Sequence, residues 1–127
     1  MYMKKLILLL SLMLVSLNVM ADWTYLTTSD GGYEYYVDYS TRKINGSFRS
    51  IWRKTIFDTP SKYGDLSTKS LEEFDCKNDA YRIISVTFYT DKESKNIDNT
   101  LKGDPTWEPI IPDSVYGTVL KFICNKK

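Results

Sequence analysis

Two cysteines are the most reactive side chains of this sequence, and they stand far apart in it. Cys76 lies in "EEFDCKND" and Cys124 lies in "KFICNKK" at the end of the chain. A catalytic thiol generally needs a histidine base, and a soft-metal site needs more than two distant sulfurs. The chain contains no histidine. We therefore expect a disulfide between Cys76 and Cys124 and no metal site.

The remaining candidates for proton transfer are carboxylates. Glu72 and Glu73 are adjacent, and adjacent side chains of a strand point to opposite faces, so they cannot act as a catalytic pair by themselves. Acidic residues in a proline-rich loop more often cap turns and helices than catalyse reactions. In this chain those residues are Asp104, Glu108 and Asp113. No glycine-rich phosphate loop follows a predicted strand. We expect neither an enzyme nor a bound cofactor.

Residues 1–21 have the features of a signal peptide. Two lysines precede an apolar run, and the small side chains of Val19 and Ala21 occupy the positions that a signal peptidase requires. We therefore place the cleavage between Ala21 and Asp22. The apolar run is shorter than the ~20 residues of a membrane span. No cysteine follows the cleavage position directly, so we expect no lipid anchor. The mature chain is then one domain over residues 22–127.

Export determines how the cysteines are interpreted. Thiols that stay reduced in the cytosol become oxidised in the periplasm or outside the cell, where two cysteines most simply form one disulfide. The bridge between Cys76 and Cys124 would close a long loop and stabilise the fold by ~3 to ~5 kcal/mol.

Composition limits the class of partner. Removing the two lysines of the signal peptide from 17 basic and 16 acidic side chains leaves a net charge of −1. A near-neutral surface without a run of like charge argues against nucleic acid as a partner. Ten tyrosines, three tryptophans and five phenylalanines fill one core and leave aromatic side chains for the surface.

Alternating apolar and polar residues predict strands. The segments are "DWTYLTT", "YEYYVDYS", "FRSIWRKTIF", "LSTKSLEEFDC" and "YRIISVTFYT", with Cys76 at the top of the last hairpin. In the third segment we expect the face with Phe48, Trp52 and Ile56 to be the covered one. The segment "TRKINGS" is predicted to be a polar connector with a hairpin turn at its Asn-Gly step.

The C-terminal part of the chain changes character. Residues 91–104 are polar and predict an exposed excursion. "TWEPIIPDS" should run extended, because its prolines disfavour helix. Asp113 or Ser114 can then cap a helix in "VYGTVLKFICNKK". The side chains on the apolar side of that helix are Tyr116, Leu120 and either Ile123 or Cys124.

These elements together predict an α+β fold. An antiparallel β-sheet of about five or six strands would carry one C-terminal helix, packed on it and tethered by the disulfide. A helix of this length is marginal alone and must bury its apolar side on the sheet.

Four blocks of the sequence carry a family resemblance. They are "ADWTY", "YYVD", "KSLEEFDCKNDAYRI" and "WEPIIPDS", followed by a helix that ends in a cysteine. This order resembles the surface-adhesin E family of small exported proteins from Gram-negative bacteria. The resemblance implies a sheet with a disulfide-tethered helix, adhesion to host extracellular-matrix or plasma proteins, and dimers. The adhesin proper has a lipid-anchoring cysteine, and this sequence has no cysteine at the corresponding position.

Two functions follow from these observations. The first is a non-enzymatic binding protein for a host matrix protein or another protein or glycan, acting at the cell surface or secreted. It would use a sheet face or the excursion at residues 91–104. The second is a soluble inhibitor or accessory protein of a periplasmic partner, for which a small disulfide-bonded scaffold is also suited.

Overall fold

The computed structural model describes residues 22–125. Over this range the chain forms a sheet of strands followed by one helix. The elements are β1 (Trp23–Thr28), β2 (Glu34–Asn45), β3 (Phe48–Ile56), β4 (Ser67–Asp75), β5 (Ala80–Tyr89), β6 (Ile97–Lys102), β7 (Glu108–Pro109) and α1 (Val115–Cys124). The predicted signal peptide, with Ala21, lies outside the described residues.

The strands form one antiparallel sheet with the simplest topology. β1 to β6 follow one another in space in their sequence order. The edge of β5 is shared, because β6 pairs with residues 85–89 and β7 pairs with Ala80 and Tyr81. Between β6 and β7 the chain crosses close to β5 at Gly103, where a Cβ atom would lie 1.8 Å from the Ile83 carbonyl oxygen. Only glycine fits there.

The helix packs on one face of the sheet and forms the core with it. Alternate side chains of β2, β3 and β4 meet the apolar side of α1. The buried members are Val37, Ile51, Phe74, Val119, Leu120 and Ile123. Fully burying a side chain of this kind stabilises the fold by about 1.5–3 kcal/mol. Docking on the sheet therefore stabilises a ten-residue helix that would be marginal alone.

Local hydrogen bonds define the two ends of α1. The Gly117 amide donates to Ser114 Oγ at 3.0 Å, so Ser114 is the N-cap. At the other end Asn125 adopts a left-handed conformation with φ of 53°, and its amide donates to the Lys121 carbonyl. The predicted helix and its cap are thus confirmed. In the described part of the chain no helix is long and apolar enough to cross a membrane.

The disulfide joins the sheet to the helix. Cys76 directly follows β4, Cys124 is the last residue of α1, and their Cα atoms are 5.8 Å apart. The Cys76 amide also donates to the Ser47 carbonyl at 2.9 Å, which links the end of β4 to the turn between β2 and β3. The predicted α+β fold with a disulfide-tethered helix is therefore confirmed.

The prediction for the covered face of β3 was wrong. Ile51, Arg53 and Thr55 face α1 and are buried, whereas Phe48 and Trp52 lie on the opposite face. The covered face was hard to predict because it contains Arg53, and an unpaired charge is costly to bury. Glu72 of β4 pairs with Arg53, but only the pairing of β3 with β4 brings the two together.

Two segments predicted to be irregular are strands. Most of "TRKINGS" belongs to β2, which continues to Asn45 after a bulge between Asp38 and Lys43. Within the predicted excursion, residues 97–102 form β6. All six side chains of β6 are exposed, so no apolar alternation marks the strand. Backbone pairing to β5 holds it in place.

Candidate functional site

The sheet face opposite α1 has no element packed over it in the described part of the chain. We call it the open face; its central residues are Trp23, Tyr25, Tyr36, Trp52, Lys54 and Lys69. Strand pairing aligns them in rows across the sheet. Tyr25, Tyr36, Lys54 and Lys69 are successive cross-strand partners on β1 to β4. Trp23 shares this face with Tyr25, because the two alternate in phase along β1.

Two lysines and several aromatic rings form the centre of the open face. Lys54 Nζ lies 5.0 Å from the Trp23 ring centroid and 5.2 Å from that of Tyr36. Lys69 Nζ lies 5.6 Å from the Trp23 ring and 5.5 Å from the Tyr89 ring. Trp23 thus contacts both amines. Cation–π contacts of this length hold the ammonium groups over the rings and orient them.

The two amines lack acidic partners. The ion pairs within residues 22–125 are Arg53–Glu72 and Arg82–Glu73, so neither lysine has a carboxylate within 4.0 Å. Burial, and then the positive charge of Lys69, lower the pKa of Lys54. A neighbouring anion would reverse this effect, because an opposite charge favours the charged form of an amine. The centre of the open face therefore has the electrostatic character of an anion-binding surface.

A second aromatic cluster borders the same face near the disulfide end. The Phe48 and Trp107 rings have centroids 5.7 Å apart, and the Arg82 guanidinium lies 4.5 Å from the Trp107 centroid. Arg82 also pairs with Glu73 at 2.7 Å. Together with Asn45 these side chains line a cavity of about 290 Å³. Here the positive charge is already neutralised, unlike that of the two lysines.

The opposite, covered face contains a buried polar cluster. The Arg53 guanidinium pairs through Nε with Glu72 Oε2. Arg53 also donates to Thr55 Oγ1 at 2.9 Å and to the Tyr116 hydroxyl at 3.0 Å. Tyr116 donates to Glu72 Oε1 at 2.6 Å, and Ser70 donates to Glu72 Oε2 at 2.7 Å. Both carboxylate oxygens of Glu72 are thereby satisfied, which makes its complete burial tolerable.

The pKa values of this cluster follow from its burial. Burial acts to lower the pKa of Arg53, but the Glu72 charge and the Tyr116 hydroxyl outweigh it and raise this pKa. Burial, and then the Glu72 charge, raise the pKa of Tyr116. General acid–base catalysis needs a group that titrates near the working pH. Neither Arg53 nor Tyr116 meets this condition, so we interpret the cluster as structural.

The other predicted residues are placed as follows. Glu72 faces α1, whereas Glu73 pairs with Arg82 on the open face, so the two adjacent acids lie on opposite faces as predicted. Asp104 accepts the Thr106 amide at 2.9 Å and so caps a turn, as predicted. Asp22 is exposed at the start of the described chain.

The three acids of the proline-rich segment border two different cavities. Asp104 and Glu108 both border one, of about 290 Å³, whose wall is largely apolar and comes from β5 and β6. Asp113 borders a different cavity beside α1. Among the described residues no group of three or more His, Cys, Asp or Glu side chains is arranged to hold a metal ion.

Sequence reasoning did not find the two lysines. The composition predicted aromatic side chains at the surface, and a sheet face was one of the two predicted binding regions. Lys54 alternates in phase with Trp52 in "FRSIWRKTIF", which is a local signal that the two share a face. Its position next to Lys69 depends on the pairing of β3 with β4. The pairing register of β3 with β4 cannot be read from the sequence of either strand alone.

Fold and surface define a class: a small antiparallel sheet with a disulfide-tethered helix on one face and an uncovered aromatic face opposite. The family model of surface-adhesin protein E matches residues 23–125. The chain therefore belongs to the surface-adhesin protein E family, as the resemblance predicted.

Solved structures agree with the fold. The chain matches crystal form II of Haemophilus influenzae protein E with a TM-score of 0.63 at 14% identity, over 85% of this chain and 91% of that one. A second structure of the same protein gives 0.57 at 12% identity, over 85% and 87%. Protein E from non-typeable Haemophilus influenzae gives 0.55 at 12% identity, over 86% and 79%. No curated protein sequence matches the chain significantly.

Proposed function

We propose that this protein is an exported, non-enzymatic binding protein that holds an acidic region of a partner protein on its open face. The observation that carries this proposal is the pair Lys54 and Lys69. Their amines lie over aromatic rings and have no carboxylate within 4.0 Å among the described residues. Membership of a surface-adhesin family supports a protein as the partner.

The chemistry of the open face suits an acidic partner surface. A carboxylate that approached the two amines would form charge-assisted hydrogen bonds, which are about twice as strong as neutral ones. The surrounding rings of Trp23, Tyr25 and Tyr36 are partly exposed. Tryptophan and tyrosine are enriched among the residues that dominate binding energies at interfaces. Charge would select the partner, and the rings would provide contact area.

The location of the protein is part of the proposal. Residues 1–21 act as a signal peptide that is cleaved between Ala21 and Asp22. The partner is then a host extracellular-matrix or plasma protein if the protein reaches the cell surface or is secreted. If it stays in the periplasm, the partner is a periplasmic protein and the role is that of an inhibitor or accessory protein.

A comparative pull-down tests the proposal. Immobilised protein of residues 22–127 is incubated in parallel with a panel of matrix proteins and with periplasmic extract. The wild type is compared with Lys54→Glu/Lys69→Glu, and the matched control is Lys77→Glu/Lys92→Glu, which changes two exposed lysines in turns. We expect the wild type and the control to retain a protein that the open-face variant loses.

The outcomes separate the proposals. Equal retention by all three forms would contradict binding through Lys54 and Lys69. Cell fractionation with antibody labelling of intact cells then distinguishes the two locations. A protein found only in the periplasm and never reached by antibodies would exclude the host-adhesion version and favour the periplasmic one.

A further inference from the structure

Away from the open face, two carboxylates come together beside β6. Asp65 lies in the loop before β4, is only 3% exposed, and Asp98 lies next to it. Its Oδ1 atom is buried and has no hydrogen-bond partner within the described residues. A buried carboxylate oxygen without a partner is costly, so this atom requires an explanation.

A β-bulge brings Asp98 to this position. Phe88 of β5 pairs with Asn99, whereas the next residue, Tyr89, pairs with Ile97. Asp98 is therefore the extra residue of β6, without a partner on β5. Bulges of this kind redirect a side chain and are common next to functional sites. Here the redirected side chain is an acid that points toward another acid.

The two acids have no neutralising partner. Two carboxylates can bond to each other only through a shared proton or a cation. Within residues 22–125 no lysine or arginine nitrogen lies within 4.0 Å of either acid. The amine of nearby Lys62 instead lies 4.9 Å from the Tyr63 ring centroid.

The surroundings have further oxygen ligands and room for water. Asp65 and Asp98 line a cavity of about 360 Å³ that is also bordered by Asn99 and Tyr63. A water molecule occupies about 30 Å³ in the liquid, so several fit. On the other side Ser61 Oγ is 3.5 Å from Asp65 Oδ2. All of these polar side chains offer oxygen and none offers sulfur or imidazole.

We propose that Asp65 and Asp98 bind a calcium ion, with the Asn99 amide oxygen and water completing its coordination. Calcium accepts six to eight oxygen ligands in flexible geometry, whereas magnesium demands a near-ideal octahedron and zinc prefers nitrogen and sulfur. With only two protein carboxylates the site would be weak. We expect a dissociation constant between about 10⁻⁴ and 10⁻³ M, the range of extracellular calcium modules.

The test measures calcium binding directly. The protein of residues 22–127 is stripped with EDTA and titrated with CaCl₂ by calorimetry at pH 7. Terbium emission is recorded in parallel, because Tb³⁺ shares calcium's preference for oxygen and Tyr63 in the cavity would sensitise it. We expect Asp98→Asn and Asp65→Asn each to weaken binding at least about tenfold. The matched control, Asp30→Asn, changes an exposed acid in the β1–β2 turn and should bind as the wild type does.

Thermal unfolding provides a second readout that does not depend on an assumed ligand geometry. In EDTA, Asp65→Asn and Asp98→Asn should unfold at or above the wild-type temperature, since each removes repulsion between the acids. Calcium should then raise the unfolding temperature of the wild type alone. The proposal is wrong if the wild type shows no calcium heat, if both variants bind like the wild type, or if NaCl of equal ionic strength gives the same stabilisation.

Discussion

The charged side chains on the two faces of the sheet have opposite surroundings. On the covered face Arg53 and Glu72 are buried beneath α1, and each has several hydrogen-bond partners. On the open face Lys54 and Lys69 lie over aromatic rings and have no carboxylate within 4.0 Å among the described residues. The same strands, β3 and β4, supply both pairs in alternation.

The difference follows from the cost of burying a charge. A buried ion must be paired and hydrogen-bonded, or the fold loses several kcal/mol. A partly exposed amine can stay unpaired, because water still reaches it. The covered pair thus contributes to the integrity of the fold, whereas the open pair is available to another molecule. The first pair should matter for stability and the second for binding.

The largest expected effect concerns the disulfide that tethers α1 to the sheet. Replacing both cysteines, Cys76→Ser/Cys124→Ser, removes a constraint on a loop of 48 residues. We expect a loss of about 4 kcal/mol in the free energy of unfolding. Chemical denaturation followed by tryptophan fluorescence measures it, and wild-type protein in reductant serves as the control. A loss below 1 kcal/mol in both samples would show that α1 docks without its tether.

The next effect concerns the buried pair itself. Glu72→Gln keeps the shape of the side chain but leaves the Arg53 charge buried and unpaired. We expect a loss of about 3 kcal/mol in unfolding free energy. Replacing both partners, as in Arg53→Met/Glu72→Leu, should recover much of it, because no charge is then left unpaired. If the double variant is the less stable of the two, the cluster contributes more than mutual neutralisation.

A smaller effect is expected from Asp75, whose carboxylate is buried at the end of β4. Hydrogen bonds from the Asn78 side chain, and from the Asn78 and Lys77 amides, lower the pKa of Asp75, with burial opposing them. Asp75→Ala should cost about 1–2 kcal/mol. Because its pKa is depressed in the folded state, the contribution is present above the unfolded value of about 3.9. It is lost as the pH falls through the folded value.

Denaturation of the wild type and Asp75→Ala across acidic pH measures this contribution. The stability difference between the two proteins should shrink as the pH falls below about 4. A difference that stays constant from pH 7 down to the acid-unfolding range would rule out an ionised Asp75 as its source.

The smallest stability effect is expected on the open face. Lys54→Met/Lys69→Met keeps the long side chains over the rings and removes both charges. The free energy of unfolding should stay within about 0.5 kcal/mol of the wild type, as for most surface substitutions. Denaturation under the same conditions as for Glu72→Gln makes the comparison direct. A loss of unfolding free energy as large as that of Glu72→Gln would show that the charges on the two faces contribute equally to stability.

The sequence predicted the parts of the fold that local chemistry determines. Ser114 and the apolar spacing of Tyr116 and Leu120 define α1, and the two cysteines define its tether. The strands around "EEFDC" follow from alternation. Each of these features depends on residues within a few positions of one another, or on the presence of only two cysteines.

The misplaced features depend on distant residues. The covered face of β3 was predicted wrongly because a charged residue such as Arg53 is not expected on a buried face. Its partner Glu72 is placed beside it only by strand pairing. β6 was missed because its six exposed side chains carry no alternation and its stability comes from the backbone of β5. The pairs Lys54–Lys69 and Asp65–Asp98 likewise bring together residues from separate segments. Both proposed binding sites thus depend on how distant segments of the chain pair with one another.

Lysine footprinting can show whether the open face binds the partner. The protein is acetylated at low reagent concentration with and without the partner captured in the pull-down, and each lysine is quantified by mass spectrometry. We expect the partner to protect Lys54 and Lys69 severalfold while Lys77 and Lys92 react at unchanged rates. Unchanged reactivity of Lys54 and Lys69, with protection of other lysines, would contradict it.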